Sequence, residues 1–195
     1  MCGRYYIDVD EEELRQICRE VEELQKIRVK TGEIFPTDIA PVLVGADRGI
    51  MPRGMAWGFP RWNAKGVVFN ARAETALQKN MFRNALLTHP AVIPTSGFYE
   101  WKAVPDTKKK EKYLFRNPDS NMLYLAGFYN VFAEKDGPIH ERFTVLTTEA
   151  NKSVEQYHNR MPILLQKDEL NDWLSGARLK DFLDRTPFEV HAVKT

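Results

Sequence analysis

Apolar residues recur at intervals of three and four over residues 10–27, and this spacing predicts an amphipathic helix. Asp10 and Glu13 form the pattern of a capping box at its start. The apolar stripe comprises Leu14, Ile17, Cys18, Val21 and Leu24. Because Cys18 lies on that stripe, we expect it to be a small buried hydrophobic residue.

Beyond residue 40 the pattern changes to short apolar segments, separated by glycine, proline, asparagine or charged turns. The segments read "PVLVG", "GMAWGF", "GVVFNARA", "AVIPTSGFYEW", "KYLFR", "MLYLAGFYNVF" and "RFTVLTT". Helices are predicted over residues 74–87, 167–174 and 179–185, and a last strand over 188–193. Mostly antiparallel strand candidates with segregated helices predict an α+β fold.

The composition is that of an ordinary globular protein. Its 195 residues are 43% hydrophobic and 28% charged, which fits one domain over residues 1–195. An uninterrupted apolar run of about 18 residues is absent from the sequence, so we expect no membrane span. The acidic stretch "YYIDVDEEEL" replaces the apolar core of a signal peptide. Two cysteines form no disulfide framework, which predicts a reducing, cytoplasmic location.

Charge is unevenly distributed although the net charge is only +1. Residues 8–23 hold eight acidic and two basic residues, whereas residues 51–116 hold twelve basic and four acidic ones. A basic face would attract a polyanion such as DNA. Scattered, solvated surface charges explain the same counts, and the sequence leaves both interpretations open.

Cys2 is the first candidate for chemistry. If Met1 is removed, this residue carries a free α-amine and a thiol on adjacent carbons, a nucleophile pair that exists only at a chain's amino terminus. Metal binding is not expected, because the four histidines show no ligand spacing with either cysteine.

Three polar islands interrupt the apolar segments: "VVFNARAET" with Asn70, "IPTSGFYEWK" with Glu100 and "YHNRMPILL" with His158. Taken singly, each has an ordinary explanation. An asparagine after a strand is typical of a turn, and a lone histidine or glutamate is more often structural. By alternation Glu100 shares a face with Phe98, so it is either exposed or a buried carboxylate with a raised pKa.

Taken together, "MCGRY", "NARAET", "SGFYEW" and "HNRMP", in this order, resemble the SOS response-associated peptidase (SRAP) family. "GEIFPTDIAPVL", "AWGFPRW", "LAGFYN" and "FTVLTTEAN" support the resemblance, which covers nearly the whole chain. It implies one compact domain with a mostly antiparallel, curved or barrel-like sheet, peripheral helices, and the amino-terminal cysteine in a cleft. The chain departs from many members in lacking an Arg-Cys pair before "SGFYEW".

The resemblance implies a function: sensing abasic sites in single-stranded DNA and forming a covalent crosslink that shields the lesion. By matching position, Cys2 is the expected nucleophile, surrounded by Asn70, Glu100 and His158. The positions expected to line the DNA path or the base-stacking surface are Arg4, Arg72, Arg160, Trp62 and Pro41. Trp57 and Trp101 could also stack on bases, but for these two we expect core packing.

This chemistry suits the residues. An α-amine has a pKa of about 7.7–8.0, so far more of it is neutral at pH 7 than of a lysine. It would form an imine with the C1′ aldehyde of an opened abasic sugar, and the adjacent thiol would close a thiazolidine. Glu100 and His158 are the expected general acid and base. The reaction needs no cofactor or metal, and a monomer suffices.

Two other functions remain open at this stage. One is a thiol peptidase, in which Cys2 attacks a peptide and Met1 is lost by self-processing. The other is a non-covalent module for single-stranded DNA, whose binding would be salt-sensitive and independent of Cys2.

Overall fold

The structure, a computed structural model, describes residues 2–47, 49–61, 64–133, 139–176, 179–183 and 188–195. Its strands are β1 (Tyr5–Ile7), β2 (Gly32–Ile34), β3 (Ile39–Ala46), β4 (Gly49–Trp57), β5 (Phe59–Pro60), β6 (Val67–Val68), β7 (Asn70–Arg72), β8 (Pro90–Thr95), β9 (Gly97–Ala103), β10 (Lys110–Arg116), β11 (Leu123–Ala133), β12 (Ile139–Glu149), β13 (Arg160–Pro162), β14 (Leu164–Leu165) and β15 (His191–Lys194). Its helices are α1 (Glu12–Gln25), α2 (Ala73–Ala76), α3 (Asn80–Thr88), α4 (Leu170–Leu174), which follows a 3₁₀ turn, and α5 (Leu179–Leu183).

Five strands close into a barrel in the order β12, β4, β3, β8 and β11, with β11 pairing back to β12. The β12–β4 pair is parallel and the other four are antiparallel. Closure pairs the strands all the way round, and large apolar side chains of the barrel strands, such as Trp57, Phe128 and Phe143, are fully buried. The predicted α+β class and barrel-like, mostly antiparallel sheet are confirmed.

A second, entirely antiparallel sheet has the order β15, β10, β9, β1 and β2. Its inner face is aromatic: Phe98 stacks on Phe115 with ring centroids 5.0 Å apart. Only Ser96 separates β8 of the barrel from β9 of this sheet. The chain therefore passes directly from one sheet to the other, and the amino-terminal strand β1 lies at that junction.

Helix α1 confirms the predicted amphipathic helix and packs across β3 and β4. Helix α1 and β4 approach so closely that a Cβ atom on Gly54 would lie 2.9 Å from Val21 Cγ1 of the helix. Cys18 is buried as expected, but Leu24 is 65% exposed and lies outside the buried stripe. The capping box is wrong, because Glu11 is the N-cap and makes no side-chain cap hydrogen bond. The Glu13 carboxylate instead accepts hydrogen bonds from Tyr124 and Lys167.

The remaining helices differ in detail from the prediction. Two helices, α2 and α3, occupy the region predicted as one, because the chain turns at residues 77–79. The last strand begins at His191, three residues later than predicted. None of the helices in the described residues has the length and apolar character needed to cross a membrane.

Candidate active site around Cys2

Cys2 lies just before β1, between the two sheets. The backbone N–H of Tyr99 in β9 donates to the carbonyl of Arg4 (2.9 Å), which extends the β1–β9 pairing towards Cys2. On the other side, Asn70 Nδ2 donates to the Cys2 carbonyl at 2.7 Å. The thiol donates to the Arg4 carbonyl (Sγ–O 3.4 Å), and Cys2 is fully buried. Residues on both sheets thus fix the backbone of Cys2.

Asn70 is held in place by the barrel. Strand β7 runs parallel to β12, with Asn70 opposite Val145. The preceding carbonyl, of Phe69, accepts a hydrogen bond of 2.9 Å from the indole of Trp57, and Trp57 is fully buried, as expected. Asn70 Oδ1 is buried and has no hydrogen-bond partner among the described residues. The amide therefore keeps one acceptor available beside Cys2.

Glu100 lies on the buried face of β9 and is 2% exposed. Of the two alternatives, an exposed residue or a buried carboxylate, the second is therefore correct. Burial raises the pKa of Glu100 from its ordinary value of 4.5 to about 7. Burial also raises the pKa of the Cys2 thiol well above its usual range, and the charge of Glu100 raises it further. The thiol is therefore protonated at neutral pH, whereas Glu100 exchanges a proton near pH 7.

His158 ends a turn that follows β12, and its Nδ1 lies 4.0 Å from Glu100 Oε1. The backbone N–H of Arg160 donates to the same Nδ1 at 2.9 Å. The Arg160 carbonyl lies 3.2 Å from the same nitrogen, but the N–H contact is the shorter of the two, and an Nδ1 that accepts it leaves the proton of the neutral ring on Nε2. Burial lowers the pKa of His158, which favours that neutral ring, although the side chain remains 26% exposed. Glu100 and His158 thus place a buried carboxyl group next to an imidazole that is nearer the surface.

Arg4 lies two residues after Cys2, and its side chain is on the outer face of the second sheet. Its guanidinium is 4.3 Å from the ring centroid of Phe35 and 5.0 Å from that of Trp101, and it contacts Glu33 at 3.3 Å. The expectation that Trp101 packs in the core is wrong. Trp101 alternates with the buried Glu100 along β9 and is partly exposed on the opposite face.

The other residues predicted to line the DNA path are more dispersed. Arg72 is exposed at the end of β7, close in sequence to Asn70. Arg160 forms a two-point ion pair with Glu74 and is only 11% exposed. Pro41 is buried within β3, opposite Gly54, and offers no open face to a base. Trp62 lies outside the described residues.

Sequence reasoning missed the acidic partners of the arginines. Glu33 holds both Arg4 and Lys112, and Glu74 holds Arg160. Glu74 stands in the same polar island as Asn70, but no local pattern connects it with a residue 86 positions away. Within the described part of the chain, no group of three or more potential ligand side chains could hold a metal ion.

Comparison with known proteins identifies relatives of this chain. The model of the family described as "SOS response associated peptidase (SRAP)" matches residues 1–195. The abasic site processing protein YoqW of Bacillus subtilis is 33% identical over 126 residues, which are 62% of this chain and 56% of that protein. The abasic site processing protein YedK of Escherichia coli is 26% identical over 181 residues, 89% of this chain and 79% of that protein. The chain thus spans about half the length of the Bacillus relative.

Solved structures agree on the fold. A crystal structure of a protein from Bacteroides thetaiotaomicron has a TM-score of 0.81 at 21% identity and covers 99% of this chain and 91% of its own. A protein from Bordetella bronchiseptica also has a TM-score of 0.81, at 23% identity, with 100% of this chain and 99% of its own covered.

Proposed function

Since the chain belongs to the SOS response associated peptidase family, we propose that it processes abasic sites in single-stranded DNA by crosslinking to them through Cys2. The observation that carries this proposal is the meeting of Cys2, Asn70, Glu100 and His158 around the amino end of the chain. They come from four separate segments, and the relatives named above are abasic site processing proteins. The proposal covers both which of these residues react and the covalent DNA–protein crosslink that they form.

The first step joins the amine to the sugar. Once Met1 is removed, the α-amine of Cys2 attacks the C1′ aldehyde of the ring-opened abasic sugar and gives a carbinolamine. The carbinolamine hydroxyl takes a proton and leaves as water, so that an imine forms. Glu100 is suited to supply that proton, because its pKa of about 7 leaves it substantially protonated at neutral pH. Asn70 Oδ1, the spare acceptor, is suited to hold an N–H of the amine.

The second step closes the ring. The thiol sulfur adds to the imine carbon, and the thiol proton passes to the imine nitrogen, so atoms and charge balance. The product is a five-membered thiazolidine, and water is the only by-product of the two steps. The raised pKa of the Cys2 thiol suits this order, because a protonated thiol leaves the first attack to the amine.

A single strand is the substrate that fits this site. An abasic sugar in a single strand reaches a recessed group without unpairing of neighbouring bases. Arg4 follows Cys2 by two residues and Arg72 follows Asn70 by two; Arg4 is partly exposed and Arg72 is exposed, so both can bind flanking phosphates. Trp101, partly exposed beside Arg4, offers a surface on which a base can stack.

A thiol peptidase would need different electrostatics. Its cysteine must ionise readily, which requires a cationic neighbour such as a charged histidine. Here burial and the Glu100 charge both disfavour the thiolate of Cys2, and burial keeps His158 neutral. These directions support the crosslinking chemistry over thiolate attack on a peptide, and they leave the route by which Met1 is removed to experiment.

The intact mass of the protein is the direct test, measured before and after mixing with a single-stranded oligonucleotide that carries one abasic site. We expect loss of Met1 and a heat-stable adduct whose mass equals protein plus oligonucleotide minus one water. Cys2→Ala should abolish the adduct, and an oligonucleotide with an intact base should give none. Cys18→Ala is the matched control, because it removes the other buried cysteine, on α1, and should leave the adduct unchanged.

Two results would contradict the proposal. Retention of Met1 with no adduct would exclude the aminothiol chemistry. Equal binding of abasic and intact oligonucleotides, unaffected by Cys2→Ala, would identify a non-covalent binding module instead.

A further inference from the structure

The side chain of Arg160 donates three hydrogen bonds to other described residues of the protein. Its Nη1 and Nη2 donate to the two carboxylate oxygens of Glu74 at 2.9 and 2.8 Å. Nη2 also donates to the carbonyl of Thr147 at 2.8 Å. This two-point geometry is the strongest that a guanidinium and a carboxylate form, and Arg160 is largely buried within it. The pair therefore holds the side chain of Arg160 in one position.

The backbone of Arg160 in turn holds His158. Its N–H lies 2.9 Å from Nδ1 of the imidazole and its carbonyl 3.2 Å from the same nitrogen; the shorter contact, in which Nδ1 accepts, favours the ring proton on Nε2. A shift of residue 160 would release Nδ1, and the ring could then take the opposite tautomer or rotate. His158 therefore depends on a residue whose backbone pairs with Glu149 in β12 and whose side chain is held by Glu74.

The same ion pair connects two segments of the site. Glu74 lies in the first turn of α2, which directly follows the β7 strand that carries Asn70. Arg160 begins β13, which directly follows the turn that carries His158. Strand β12 lies between them and pairs with both β7 and β13. The Glu74–Arg160 ion pair crosses β12 and connects the segment after β7 with the start of β13 through side chains.

We propose that Glu74 is a positioning residue for His158: through Arg160 it fixes the tautomer and orientation of the imidazole used in crosslinking. The inference rests on the proposed function for its catalytic consequence, but its structural part concerns this chain alone. Burial acts to raise the pKa of Glu74, but the hydrogen bonds and charge of Arg160, together with hydrogen bonds from the Glu74 backbone and Thr148, outweigh it and keep this pKa below its ordinary value, so the carboxylate stays charged at neutral pH.

This role differs from the DNA contact expected of Arg160 from the family resemblance. The Glu74 carboxylate already neutralises the guanidinium and occupies the two nitrogens that would face a phosphate. A phosphate would have to displace that carboxylate first. The two roles make opposite predictions for a variant without the carboxylate: positioning predicts slower chemistry, and masking of a phosphate site predicts tighter DNA binding.

The experiment compares wild type with Glu74→Gln, which keeps one acceptor, and Glu74→Ala, which keeps none. Thr148→Ala is the matched control, because its hydroxyl contacts the same Glu74 oxygen at 3.3 Å without contacting Arg160. Nitrogen-15 NMR of labelled histidine reports the His158 tautomer. Single-turnover adduct formation across pH reports the chemistry, and affinity for an oligonucleotide with an unreactive tetrahydrofuran abasic analogue reports binding.

We expect an Nε2–H signal for His158 in wild type and Thr148→Ala, and a tautomer mixture in Glu74→Gln that increases in Glu74→Ala. Crosslinking should slow about tenfold in Glu74→Ala, equivalent to about 1.4 kcal/mol, with a shifted pH profile. Affinity for the unreactive oligonucleotide should change less than about twofold. Arg160→Lys, which keeps the charge but loses the two-point geometry, should reproduce the tautomer change.

An unchanged tautomer in Glu74→Ala would overturn the inference, whatever the crosslinking rate. Tighter binding of the unreactive oligonucleotide with a steeper salt dependence would overturn it as well, and would assign Arg160 to phosphate. If the wild type forms no adduct, the proposed function fails, and the NMR result still decides whether Glu74 positions His158.

Discussion

Glu100→Gln should stabilise the protein at high pH while it slows crosslinking. The substitution keeps the shape of the side chain and removes its ability to ionise. In the folded protein burial raises the pKa of Glu100 from 4.5 to about 7, so the folded state binds this proton more tightly than the unfolded chain does. The stability that the carboxyl contributes is therefore fully present below pH 4.5 and is lost as the pH rises to about 7.

The magnitude follows from the size of that pKa difference. About 2.5 pKa units correspond to about 3 kcal/mol of unfolding free energy, since one unit corresponds to about 1.4 kcal/mol. In a protein of this length, each kcal/mol shifts the melting temperature by roughly 2–4 °C. The melting temperature of Glu100→Gln relative to wild type should therefore increase by roughly 6–12 °C between pH 4.5 and pH 8.

The assay is thermal unfolding of both proteins in a series of buffers from pH 4.5 to pH 8.5, with the same amino-terminal residue confirmed by mass. Glu23→Gln, at an exposed position of α1, is the control and should show no such pH-dependent difference. Parallel melting curves for wild type and Glu100→Gln across this range would refute the reasoning, because they would mean that the carboxyl is not desolvated in the folded state.

Three further outcomes follow from contacts described above. Asn70→Ala removes the 2.7 Å hydrogen bond to the carbonyl of Cys2 and leaves that carbonyl buried, so single-turnover crosslinking should slow by about 10- to 100-fold, equivalent to 1–3 kcal/mol; an unchanged rate would remove Asn70 from the site. Arg72→Ala should lower the slope of log affinity against log salt by about 0.7 for the tetrahydrofuran oligonucleotide, as expected for one lost phosphate contact on a single strand, and an unchanged slope would place the DNA elsewhere. Gly97→Ala should destabilise the protein in urea unfolding by roughly 1–3 kcal/mol, because its Cβ atom would lie 2.5 Å from the carbonyl of Phe115, and a neutral effect would mean that β9 and β10 can separate at little cost.

The sequence predicted the long strands well because each carries enough alternation to be recognised alone. The strands it missed are short: β1, β2 and β13 have three residues each, and β14 has two. Such segments are strands only because partners distant in sequence pair with them. The division of residues 74–87 into α2 and α3 has a similar cause, since the turn at residues 77–79 leaves the helical periodicity of the sequence largely intact.

The candidate site was likewise predicted only in part. The family resemblance named Cys2, Asn70, Glu100 and His158, and the structure brings segments carrying all four to one place. Alternation alone left Glu100 either buried or exposed, because a strand has two faces and the sequence does not say which is covered. Trp101 was misjudged for that reason: it lies on the face of β9 opposite Glu100, where Arg4 covers it only in part.

The position of β1 has a consequence for the timing of synthesis. This strand pairs with β2 and with β9, and the second partner ends its contact at Phe98. At 5–20 residues per second, a ribosome needs roughly 5–20 s to produce that much chain. Throughout this interval the first residues have no completed sheet to enter, and an aminopeptidase can reach Met1. Once Phe98 has emerged and β9 has joined β1, Cys2 is enclosed, so removal of Met1 by a separate aminopeptidase would have to precede this folding, whereas self-processing would have to follow it.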